Sequence, residues 1–111
     1  MSNTPTFVAL PDISDLMDSK ITRVHQLLND RHLVEVRRDG IRMVPAEFVL
    51  DRQVVKSLPA TITLLTDAGF TDEEIIDWLF TADDLLPGRP IDALRENRGT
   101  EIKRRAQAAG F

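Results

Sequence analysis

Few side chains in this sequence are of a type and spacing that could do covalent chemistry. His25 and His32 stand seven residues apart across a helix end. No carboxylate or thiol lies at ligand spacing, so solvated or capping roles fit them better than metal binding. There are no cysteines, which excludes disulfides and thiolate metal sites. Asp72-Glu73-Glu74 is accounted for by helix capping. Asp83-Asp84 falls in a loop beside a helix C-terminus, a common place for solvated acids. Pro87-Gly88-Arg89-Pro90 lacks the glycine pattern and lysine of a phosphate loop, and Trp78 reads as core. The expectation is a protein that is not an enzyme and needs no metal or cofactor.

The side chains suited to binding are grouped in the N-terminal half. In "EVRRDGIRM", residues 35–43, Asp39-Gly40 predicts a two-residue β-turn, because both positions tolerate positive φ. That turn sets Arg38 opposite Ile41, Arg37 opposite Arg42, Val36 opposite Met43 and Val34 opposite Pro45. Like charges directly across a strand pair destabilise it by roughly a few tenths of a kcal/mol or more. A phosphate lodged between the guanidinium groups would convert the repulsion into charge-assisted contacts. The competing reading is neutralisation by Glu35 or Asp39, two carboxylates against three arginines.

Just upstream, "KITRVHQLLND", residues 20–30, carries Ile21, Val24, Leu27 and Leu28 on one helical stripe. The opposite stripe holds Thr22, Arg23, Gln26 and Asn29, with Asp30 at its edge. Arg23 suits guanine, Gln26 or Asn29 adenine, and Thr22 a phosphate or thymine methyl. Lys20 is placed for a phosphate. An ordinary solvated helix face would look similar, and it is the neighbouring arginines that favour a polyanion.

Charge distribution agrees with that reading. The 111 residues carry a net charge of -4, which by itself argues against nucleic acid. Residues 1–57 are balanced, with eight basic and eight acidic groups, and residues 58–111 have six against ten. Within residues 20–42 six basic groups face three acidic ones, a local +3. Local field decides whether a polyanion can dock.

These residues need elements to position them. "LPDISDLMD" places Leu10, Ile13, Leu16 and Met17 at helical spacing with Pro11 in the first turn. Ser19 is an N-cap candidate for the next helix. Helix, short corner, helix and Arg-rich hairpin is the order of a winged helix-turn-helix, whose second helix enters the major groove while the hairpin touches flanking backbone. "AEFVLDRQVVKS" reads as a short helical turn and a connector. "LPATITLLTDAGF" predicts a helix with Pro59 near its start, Gly69 past its end and Phe70 folding back. "TDEEIIDWLF" opens with the capping box Thr71…Glu74, "TADDLLPGRP" is a loop, and "PIDALREN" and "TEIKRRAQAA" predict two short helices. The fold class is therefore mainly α with a small β-hairpin wing. Its predicted parts are a flexible tail at 1–7, a winged helix-turn-helix at 8–50, a connector at 51–57 and a helical domain at 58–111.

"LPDISDLMDSKITRVHQLLNDRHLVEVRRDGIRMVPAEFV" resembles the winged helix-turn-helix of excisionase- and MerR-type DNA-binding proteins. It is most similar to a small actinobacterial family with a helical C-terminal extension, on Leu10-Pro11, "RVHQLL", "RRDG" and "VPAEF". The stretch from "VVKSLPATITLL" to "EIKRRAQA" also resembles that extension, so the likeness spans roughly residues 8–109. It implies groove-facing Lys20, Thr22, Arg23 and Gln26, and wing contacts from Arg37, Arg38 and Arg42. "WLF…LLPGRPIDALREN" is similar to the toxin-binding domain of Xre-type antitoxins, which implies a protein partner.

The function expected is a cytoplasmic transcriptional regulator that reads double-stranded DNA with helix 20–29, Asn29 included, and contacts backbone with wing 33–45. The other class to consider is a protein-binding adaptor or antitoxin-like module that uses the acidic half. No long heptad seam is present, so a homodimer or a protein partner would use residues 58–111. Thr4 and Thr6 are candidate phosphorylation positions, where added charge would oppose DNA. The longest apolar run near the start, "FVAL", is too short for a membrane span.

Overall fold

The computed structural model describes residues 5–82 and 88–109. Helix α1 (Leu10–Met17) buries Leu10, Ile13 and Met17 and has Pro11 in its first turn. Leu16, expected on the same face, stays exposed. Asp18 ends the helix in the left-handed region at φ 50. Its N–H donates to Asp15 O and the Ser19 N–H to Ser14 O, the paired bonds of a Schellman ending.

Helix α2 (Ile21–Asn29) follows after three residues and buries Val24 and Leu27. Ser19 is not its N-cap. Lys20 takes that position, in extended conformation and without a side-chain cap. The Ser19 hydroxyl donates back to Met17 O, and its carbonyl accepts from the Ser14 hydroxyl. Closing the corner onto α1 turns Ser19 away from α2. At the far end Arg31 adopts φ 61, with Arg31 N–H to Leu28 O and His32 N–H to Leu27 O.

The wing forms with the predicted register. Strands β2 (Val36–Arg38) and β3 (Ile41–Pro45) pair Val36 with Met43, Arg37 with Arg42 and Arg38 with Ile41. Asp39 and Gly40 take φ 54 and 77, as a two-residue turn of this hand requires. Two expectations differ. Val34 does not pair with Pro45, because β2 begins only at Val36; a third strand, β1 (Phe7–Ala9), joins the opposite edge of β3 with Phe7 opposite Pro45 and Ala9 opposite Met43. Phe7, expected in the tail, therefore belongs to the sheet. Just before it the Thr6 N–H donates to the Glu47 carboxylate at 3.1 Å, and Thr6 O accepts from Ala46 N–H. The sheet order β1-β3-β2 puts the Arg-bearing strand β3 in the middle.

A 3-10 turn (Ala46–Phe48) buries Phe48, and the expected connector holds a second hairpin of β4 (Val49–Leu50) and β5 (Gln53–Val54). Four helices complete the chain: α3 (Leu58–Asp67), α4 (Asp72–Phe80), α5 (Pro90–Arg95) and α6 (Gly99–Ala108). Gly69, at φ 94, closes α3 and returns Phe70 N–H to Leu65 O. The Thr71–Glu74 capping box starts α4, with both reciprocal bonds present.

The two halves share one core, which runs from Ile13, Val24 and Val44 through Phe48 to Leu65, Ile75, Ile91 and Ile102. Polar ties reinforce the junction. One Arg95 nitrogen donates to the carbonyls of Glu47 and Val49, each at 2.7 Å, satisfying backbone acceptors at the base of the wing. The helix-turn-helix corner and the wing therefore sit on a helical platform fixed by shared packing.

Candidate nucleic-acid interface

Buried Val24 and Leu27 anchor α2 to the core, and the opposite stripe is left to solvent. Lys20, Thr22, Arg23, Gln26 and Asn29 lie on that outward side. Among the described residues none of these five side chains has a hydrogen-bond or ion-pair partner. Their donors and acceptors are thus unspent, the condition base-edge and phosphate contacts need. Ile21, expected on the apolar stripe, is 38% exposed at the start of the helix, so the outward face is broader than the periodicity suggests.

On the wing the three arginines have different fates. Strand alternation puts Arg37 and Arg42 on one face and Arg38 on the other. Arg42 Nε donates to both oxygens of Glu35, at 2.9 and 3.0 Å, and that bond holds the Arg42 pKa above its ordinary value. The Arg37/Arg42 repulsion is therefore relieved within the hairpin, by one of the carboxylates considered as its neutraliser. A waiting phosphate is not what explains the facing pair. Asp39 takes no part in it. Arg38 lies over the Phe7 ring, its guanidinium carbon 4.6 Å from the centroid. This cation–π contact orders the group by its face and leaves its N–H edge free. Arg37 is exposed and has no partner among the described residues.

Two participants, Phe7 and Arg31, were not singled out by sequence, and Glu35 was named there only as one of two candidate neutralisers. Phe7 supports Arg38. Glu35 holds Arg42 across a strand diagonal, a relation implicit in the register but not in the residue order. Arg31, the left-handed residue closing α2, reaches Asp72 at 2.8 Å and the Thr66 hydroxyl at 3.0 Å, tying the end of α2 to α3 and α4. A cation directly after the helix-ending "ND" was the only sequence signal for it. His25 is half-buried and His32 exposed. Among the described residues no group of three or more His, Asp or Glu is arranged to hold a metal. Thr6 is exposed, whereas Thr4 and Asp83-Asp84 lie outside the described residues.

A helix-turn-helix corner, an exposed polar second helix and a three-stranded wing are thus combined with a four-helix platform. Residues 2–49 match the family described as "DNA-binding protein Rv2175c, wHTH domain". Residues 55–110 match "Rv2175c C-terminal domain of unknown function". The chain is 40% identical over 120 residues to "DNA-binding protein Rv2175c" of Mycobacterium tuberculosis, covering 96% of this chain and 82% of that one. This chain belongs to the Rv2175c family. The NMR structure of Rv2175c superposes with a TM-score of 0.86 at 37% identity, over 100% of this chain and 85% of the other. The Rv2175c-type architecture thus extends through both halves, and no described helix is long and apolar enough to cross a membrane.

Proposed function

We propose that this protein binds double-stranded DNA as a transcriptional regulator, with α2 in the major groove and the wing on the adjacent backbone. The reading rests on one observation above all: five polar side chains on the outward face of α2 are unpartnered beside a wing that presents Arg37. Arg23, Gln26 and Asn29 are assigned to base edges, and Lys20 and Thr22 to phosphate. Arg37 and the Phe7-ordered Arg38 are the principal wing contacts, with Arg42 available once it leaves Glu35. The name of the Mycobacterium tuberculosis relative supports DNA as the partner.

One reading helix gives a small contact, and specific sites ordinarily use paired half-sites. Residues 58–111 are the surface we assign to pairing. Among the described residues the exposed large hydrophobics are Leu16, Ile21 and Ile41, none of them in that half, so pairing is expected on DNA rather than in free solution. Work on a bacterial chromosome implies the cytoplasm. A phosphate on Thr6 would repel the Glu47 carboxylate that holds its amide and add charge that opposes DNA.

The test is selection from a random duplex library, followed by titration of variants. Arg23→Ala or Gln26→Ala should relax preference at one position, by about 1–3 kcal/mol per lost bidentate contact. Arg37→Ala should weaken all duplexes alike and lower the salt slope by about 1. A selection that enriches no sequence and is indifferent to Arg23→Ala would overturn the groove assignment.

A further inference from the structure

Between the C-terminal end of α2 and the wing lies a cleft of about 210 Å³, lined by Asn29, Arg31, Glu35, Arg42 and Asp72 among others. Its two arginines come from different elements, and each is bound by a carboxylate from within the chain. Arg31 meets Asp72 at 2.8 Å, and Arg42 meets Glu35 at 2.9 Å. Neither guanidinium is sealed, since the two side chains remain 41% and 40% exposed. Ion pairs this open to water are weak and exchangeable.

A carboxylate and a phosphodiester present the same ligand to a guanidinium: two oxygens sharing one negative charge. We propose that this cleft is a seat for a DNA backbone phosphate, and that Glu35 and Asp72 occupy it in the free protein as internal competitors. The inference rests on the DNA-binding reading and deepens it. A duplex engaged by α2 and Arg37 delivers a phosphate to the cleft, and Arg42 and Arg31 exchange their carboxylates for it. The two acids thus hold affinity below what the arginine count would give. They also keep the cleft from binding stray anions, because its four charged groups sum to zero.

Single neutral substitutions separate this from a general field effect. Glu35→Gln and Asp72→Asn should each bind duplex more tightly than the parent, with a salt slope steeper by about 0.9. Asp30→Asn removes an exposed carboxylate that has no partner among the described residues. It should raise affinity less and leave the slope alone. The Glu35→Gln gain should vanish in an Arg42→Ala background, since the acid acts through that arginine. A gain that survives there, or no gain at all, would overturn the proposal. Inorganic phosphate followed through the arginine Nε–Hε resonances reads the cleft without DNA. Glu35→Gln and Asp72→Asn should bring phosphate-dependent shifts to Arg42 and Arg31 at concentrations where the parent shows none. Missing shifts overturn the seat even where duplex binding holds. Shifts without any duplex binding overturn the DNA reading and leave the seat standing.

Discussion

Gly99 opens α6 at the point where that helix meets the start of α3, and replacing it with alanine tests how tightly the platform is closed. A Cβ at Gly99 would lie 2.6 Å from the Ser57 Cβ, closer still to its hydroxyl oxygen, and 3.7 Å from Leu94 Cδ2. Rotating Ser57 removes only the hydroxyl clash, because its Cβ is fixed by the backbone. Overpacking of this kind costs about 1–3 kcal/mol, against at most ~1 kcal/mol gained from alanine's helix propensity. The expected net loss for Gly99→Ala is about 1–2 kcal/mol, or roughly 4–10 °C in Tm for a chain of this size. Ser57 sits at φ 70, where a side chain is itself unfavourable. Ser57→Gly should therefore be neutral or stabilising alone and should abolish the cost of Gly99→Ala. Urea unfolding followed by circular dichroism measures all four corners of the cycle. Gly99→Ala as stable as the parent, or a cost unchanged in the Ser57→Gly background, would refute the close-approach argument.

Two further outcomes follow from local geometry. Gly40 has φ 77, and a Cβ placed there would meet nothing within 4 Å, so Gly40→Ala carries a backbone cost alone, about 1–2 kcal/mol, measurable by the same urea titration. Arg89 holds the Asp92 carboxyl below its ordinary value of 3.8, chiefly by hydrogen bonding. A lowered folded pKa gives stability that is fully present above that ordinary value and is lost as pH falls through the folded one. The stability difference between parent and Asp92→Asn should accordingly be constant from neutral pH down to about 5 and shrink in stronger acid. A difference that grows on acidification would contradict the assignment.

Much of this fold is legible in sequence because its signals are local. Asp39-Gly40 dictates the hairpin and its register, Thr71…Glu74 dictates a capping box, and Gly69-Phe70 dictates a Schellman ending. All three turn on φ or on bonds between residues a few positions apart. The third strand is not legible in this way, since Phe7–Ala9 becomes a strand only by pairing with β3 more than thirty residues later. Likewise Asp51 and Arg52, at φ 51 and 66, turn the β4–β5 hairpin without a glycine to announce it. The binding face divides along the same line. The α2 stripe follows from periodicity, whereas the unequal roles of Arg37, Arg38 and Arg42 depend on where long side chains find Glu35 and Phe7.

The most direct test of the DNA-binding account is the salt dependence of duplex affinity for the unmodified protein. Lys20, Arg37 and Arg38 are the cations assigned to the backbone that no carboxylate already holds. Three phosphate contacts give a slope of about -2.7, a loss of about 40-fold between 50 and 200 mM salt. A slope near that value supports a backbone clamp built from α2 and the wing. Affinity that stays flat across the range would contradict it.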